Sequence, residues 1–174
     1  MNFDLNKSIE ILERTPAVLD MLLTGLSEDW TTSNEGPETW SPYDVVGHLI
    51  HGEKTDWIPR LEKVLATGGD KKFTPFDRFA QFNESKGKTL GELISEFRLV
   101  RARNINILRS KAIRPSDYSK KAIHPAFGEV TLSQLLSTWA VHDLSHIGQI
   151  VRVMAKQYKT AVGPWVEYLS ILHK

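Results

Sequence analysis

The chain has 174 residues, 41% of them apolar and 25% charged, with a formal net charge of +1 and no cysteine. That length supports one domain with a real core, spanning 1–174. The near-neutral balance excludes the basic face of a nucleic-acid binder and the polybasic patch of a membrane-surface protein, and the lack of cysteine excludes disulfides, a thiol nucleophile and thiolate metal ligands.

No stretch reaches the ~18 apolar residues that span a bilayer. The segment MNFDLNKSIEI lacks the charged and apolar regions of a signal peptide, so a cytoplasmic location is expected.

In chain order, the first predicted helix runs from about Asp4 to Leu26. Ile9, Leu12, Leu19, Leu22, Leu23 and Leu26 recur at helical spacing. Pro16 should kink or split it. The second helix starts at Ser41-Pro42-Tyr43-Asp44, where a capping serine precedes a proline suited to the first helical position. It reaches towards Ala66 before Gly68-Gly69, and Pro59 should bend it or end it early. Thr89-Leu90-Gly91-Glu92 spells a capping box for the third helix, and Thr131-Leu132-Ser133-Gln134 spells one for the fourth, which continues to about Lys156. A short last helix is expected over Trp165 to Leu172, after Gly163-Pro164. No convincing strand series is present.

These elements predict an all-α fold, a four-helix bundle whose long connections permit crossovers. The 67–88 connection places Phe73, Phe76, Phe79 and Phe82 at a spacing of three. It is expected to pack over the bundle, with a lid over a site as the alternative.

The fourth helix contains WAVHDLSHIGQIVRVM, residues 139–154. At about 100° per residue, His142 and His146 fall on one edge of its apolar stripe, Gln149 lies beside them, and Asp143 falls near the centre. Imidazoles at i and i+4 can reach one metal ion. The spelling HDLSH lacks the glutamate that follows the first histidine in zinc proteases, so the general base of those enzymes is missing. Inert, hydrogen-bonded core histidines are the competing reading. A third imidazole would complete an open His₃ site. His48 and His51, in VVGHLIHGE, both qualify, and periodicity does not choose between them. His124 sits on a loop, and His173 near the end is read as a surface residue.

WSPYDVVGHLIHGE, followed much later by WAVHDLSHIGQI, resembles the DinB-like superfamily, which also includes bacterial thiol transferases and mycothiol-dependent isomerases. TPAVLDMLLTGL and FGEVTLSQLL fit the same resemblance, which covers most of the chain. It implies a bundle of up-down-down-up order and a divalent metal, nickel or zinc, held by His48, His142 and His146. It also matches Gln149 to a polar position common after the last ligand.

Asp143 and Glu53 both sit in apolar stripes. Three roles are open: accepting the N–H of a ligand imidazole, pairing with a Trp N–H or an Arg, or serving a carboxylate di-metal site for which Asp143-x-x-His146 is one half. No other helix supplies the second half.

A three-histidine metal with an open position supports hydrolysis through bound water, or activation of a thiolate for transfer. Arg60, Arg101 and Arg152 are candidate contacts for a charged small-molecule substrate. Trp57 belongs either to the core or to the pocket wall. The expectation is a metal-dependent thiol transferase or hydrolase, with a non-catalytic, stress-associated metal-binding module as the alternative. A homodimer formed through a helical face is expected.

Overall fold

The computed structural model describes residues 2–173. Asp4 caps the first helix, α1 (Leu5–Leu23), by accepting from the N–H groups of Asn6 and Lys7 at 2.9 and 3.2 Å. Pro16 lies inside α1 and does not split it. A proline cannot donate to the carbonyl four residues earlier, here Leu12. That carbonyl instead accepts from Arg101 Nη1 at 2.8 Å, so the missing bond is replaced from another helix.

A short helix absent from the sequence reading, α2 (Glu28–Thr32), follows. Ser41 and Asp44 form the expected cap of α3 (Pro42–Thr55) as a complete capping box. The expected long second helix is broken: α3 ends at Thr55 and α4 (Trp57–Leu65) begins after Asp56. The break falls where Pro59 dictates, because Thr55 is its i−4 residue, whose carbonyl the proline cannot serve. The 67–88 connection is not a plain loop, since it contains α5 (Ala80–Ser85). Capping boxes at Thr89/Glu92 and Thr131/Gln134 start α6 (Leu90–Ser110) and α7 (Leu132–Gln157) as the sequence predicts.

Between α6 and α7 lies an antiparallel hairpin that the sequence reading missed, β1 (Lys121–His124) and β2 (Gly128–Thr131). Ile123 exchanges backbone bonds with the 67–88 segment, accepting from Phe73 N–H at 2.8 Å and donating to Lys71 O at 3.0 Å. The predicted last helix is two 3₁₀ turns, Gly163–Tyr168 and Ser170–His173.

Two core clusters fix the helix directions. One joins Ile9 and Leu12 to Trp57, Leu61, Val64, Ile105, Leu108, Leu132 and Leu136. The other joins Leu19 and Leu23 to Val45, Val46, Leu49, Leu93, Phe97 and Ile150. Moving from the first cluster to the second, residue numbers rise along α1 and α7 and fall along α3–α4 and α6. The bundle is therefore up-down-down-up, as the resemblance implies. Parallel neighbours of this kind require a long crossover, and the 67–88 connection is the one between α4 and α6.

Between the two apolar clusters lies a polar layer. Arg101, 2% exposed, donates from Nη1 to Asp143 Oδ2 at 2.5 Å and from Nη2 to Asp143 Oδ1 at 3.0 Å and Glu53 Oε1 at 2.8 Å. Glu53 Oε1 also accepts from Trp139 Nε1 at 2.9 Å, and Asn104 Nδ2 donates to Glu53 Oε2 at 2.9 Å. Burial pushes the Glu53 carboxyl upward, against the pull of Arg101. Of the three roles open for Asp143 and Glu53, the buried pairing with an Arg and a Trp N–H is the one that forms. Arg101 is accordingly not a solvated surface residue and not a pocket contact beside the histidines.

Candidate metal centre

His48 projects from α3, and His142 and His146 from α7, one turn apart. Their Nε2 atoms converge. Nε2 of His142 lies 3.1 Å from that of His48 and 3.1 Å from that of His146. Two nitrogens tetrahedrally bound at about 2.0–2.1 Å stand ~3.3–3.4 Å apart, and bonds at right angles bring them to ~2.9 Å. The observed separations fall between these limits.

The proton count supports the same reading. One imidazole nitrogen carries at most one hydrogen, so Nε2 of His142 cannot donate to both neighbours. His146 Nδ1 lies 2.8 Å from Gln149 Oε1, an acceptor, which fixes its proton there and turns a lone pair inward at Nε2. Facing lone pairs repel unless a cation lies between them. Burial, reinforced by the neighbouring imidazoles, holds His48 down to about 3 and His142 to about 2, and burial alone pushes His146 down, against the pull of Gln149 and Asp143. All three are thus in the neutral, ligating form at neutral pH. Nδ1 of His48 and of His142 are buried without a hydrogen-bond partner among the described residues, so Gln149 alone orients a ligand ring by a side-chain hydrogen bond. The residues present fit a divalent ion held by three imidazoles.

Aromatic rings wall the cluster. Trp40 lies 4.8 Å from the His48 ring between centroids, Phe76 meets His48 edge-on at 5.5 Å, and Trp57 meets His142 edge-on at 5.2 Å. Trp57 is both core and wall: it is 5% exposed and stacks on Trp139 at 5.6 Å.

A cavity of about 420 Å³ opens onto His48 and His146, bounded by Trp40, Phe76, Arg78 and Arg152. Arg152 grips Glu35 through Nε and Nη2 at 2.8 and 2.9 Å, and this pair holds the Glu35 carboxyl below its usual range. Arg78 lies over Trp40 at 5.6 Å and has no carboxylate partner among the described residues.

The other candidates are placed elsewhere. His51 is buried and pairs through Nδ1 with Glu84 of α5 at 2.9 Å, so it braces the 67–88 segment rather than joining the cluster. Arg60 pairs with Asp56 at 2.6 Å and lines a different cleft, together with His124. His173 is exposed and contacts Val166 O. The 67–88 segment packs over the bundle as expected, with Phe73 entering the core, and it also supplies Phe76 and Arg78 to the pocket wall. Arg78 and Glu35 were not singled out from sequence, Phe76 was marked only as one of the spaced phenylalanines, and Trp40 was not assigned to the site. They reach the site from connections, where no helical period marks them.

A four-helix bundle of up-down-down-up order, with three converging imidazoles on two of its helices, defines a class of proteins built around a candidate metal site. The family model described as the DinB superfamily matches residues 11–150, and the chain belongs to that superfamily. No curated protein matches the sequence. Among solved structures, YfiT from Bacillus subtilis, described as a probable metal-dependent hydrolase with an unusual four-helix bundle topology, aligns with a TM-score of 0.73. The alignment is 19% identical and covers 88% of this chain and 86% of that one, a likeness that establishes the fold.

Proposed function

We propose that the chain binds one divalent metal ion, nickel or zinc, through Nε2 of His48, His142 and His146, and that it is a metal-dependent enzyme acting on a small molecule. The observation that carries this reading is the cavity of about 420 Å³ reaching two of the three histidines. A non-catalytic module would have no need of an open approach to its ion.

A bound divalent ion would supply Lewis acidity towards a coordinated oxygen or sulfur. The chain's own residues provide the rest. Trp40 and Phe76 exclude water from the ion's flank and offer flat faces to a substrate, and Gln149 holds the His146 tautomer. Hydrolysis is the preferred chemistry, supported by the description of YfiT. Transfer of a thiol is the second chemistry, and it follows from the thiol transferases in the superfamily.

The test is a paired screen on nickel- and zinc-loaded protein. One arm follows cleavage of small esters and amides. The other follows conjugation of an electrophile to a thiol donor. Turnover in either arm that is lost in His142→Ala supports an enzyme, and the arm that responds assigns the chemistry. Metal-loaded protein silent in both arms contradicts it.

A further inference from the structure

The second cleft shares no lining residue with the metal pocket, although its wall residue Trp57 meets His142 edge-on, and the function above makes no use of it. Its walls come from α4 (Trp57, Arg60), the 67–88 segment (Phe73), the hairpin (His124, Phe127) and the start of α7 (Thr138). The enclosed volume is about 100 Å³, smaller than the ~150 Å³ that takes up a single benzene ring, so a ring bound there would be only partly enclosed and would extend towards the exposed Phe127.

Its lining is aromatic and rigidly built. His124 stacks on Phe127 at 4.5 Å with an interplanar angle of 15°, and Phe73 meets His124 edge-on at 6.2 Å. Phe73 is fixed by its backbone bond to Ile123. The guanidinium of Arg60 lies over the Phe73 ring at 5.1 Å. Phe127 is 78% exposed at the hairpin tip, where it covers one face of the His124 ring.

Two polar groups of the cleft, Arg60 and His124, are donors. Ala126 N–H donates to His124 Nδ1 at 3.1 Å, which places the ring proton on Nε2 and makes that atom a donor. Arg60 Nε stands 2.6 Å from Asp56 Oδ1 as an ion pair without an aligned hydrogen bond, and the Nη groups of the guanidinium are further donors. Gln134 and Thr138 complete the lining with groups that can donate or accept, so the aromatic walls with the charged donor of Arg60 and the Nε2–H of His124 favour a flat ring that carries acceptors.

We propose that this cleft is a binding site for a small aromatic carboxylate. The ring lies among Trp57, Phe73 and Phe127, and the carboxylate meets Arg60 and His124. The site is distinct from the histidine cluster and does not depend on the enzymatic reading.

The test is calorimetric titration of the full chain with benzoate, with acetate as the ringless control. Benzoate is expected to bind saturably, with a dissociation constant on the order of 1 mM or below, and acetate to show no saturable binding. Arg60→Met should weaken benzoate about tenfold or more, the worth of one charge-assisted hydrogen bond. Phe127→Ala should weaken it too, and because that side chain is exposed the variant keeps the test intact if Arg60→Met fails to fold. His142→Ala should leave benzoate binding unchanged. Two results overturn the proposal: no saturable benzoate binding, or binding that survives Phe127→Ala and vanishes in His142→Ala, which would place the carboxylate on the metal site.

Discussion

Arg101 donates a hydrogen bond of 2.8 Å to the carbonyl of Leu12, the carbonyl that Pro16 leaves without its helical partner. A proline on one helix and an arginine on another thus form one device. The proline frees an acceptor in the core, and the arginine fills it while bridging Asp143 and Glu53. The layer ties α1, α3, α6 and α7 together directly behind His142.

Removing Arg101 therefore leaves two buried carboxylates without a countercharge. Arg101→Met should destabilise the fold by about 3–5 kcal/mol. Arg101→Lys should recover little, because an ammonium cannot span Leu12 O, both oxygens of Asp143 and Glu53 in a planar fork. Urea denaturation of both variants checks this, and a wild-type midpoint in either would refute the role given to the fork.

Gly47 sets how closely α5 docks on α3. A Cβ there would collide with Ser85 Oγ and stand 2.7 Å from Gln81 Oε1. Gly47→Ala should cost about 1–3 kcal/mol through overpacking. Adding Ser85→Ala should return part of that loss, a coupling that thermal unfolding of the two single variants and the double variant measures.

Asp56 gives the stability a pH dependence of unusual sign. Burial pushes its carboxyl up from 3.8 to about 6, even with Arg60 beside it. Between those values the folded state holds a proton that the unfolded state has lost, so stability falls as pH rises from about 4 to about 6 and is flat above. The contribution is at most about 3 kcal/mol. Asp56→Asn should flatten that part of the pH–stability curve. An unchanged slope would show that Asp56 titrates normally.

Gln149 tests how the site is oriented. Gln149→Leu leaves His146 Nδ1–H without its acceptor and should weaken metal binding about 10–100-fold. Competition against a chromophoric chelator reads this directly, and unaltered affinity would deny Gln149 its orienting part.

The caps of three long helices were legible because Ser41/Asp44, Thr89/Glu92 and Thr131/Gln134 are local signals that no distant contact overrides. The break after Thr55 was legible in kind from Pro59. The integrity of α1 was not, because it depends on Arg101, 89 residues beyond Leu12. The hairpin escaped notice because each strand has four residues, too few to show a period. At the site, the i, i+4 pair was readable and the choice of His48 over His51 was not. Both are buried on the same helix, and what separates them is that Glu84, from a distant connection, takes His51.

The proposed function stands or falls on a metal ion held by His48, His142 and His146. Elemental analysis of untagged protein prepared without chelators, alongside His48→Ala and His51→Ala, tests it most directly. About one equivalent of nickel or zinc, as expected of a single three-ligand site, should appear in the wild type and in His51→Ala and be lost in His48→Ala. A wild-type protein that stays metal-free after exposure to nickel, zinc and manganese, or a site lost with His51 and kept without His48, would contradict it.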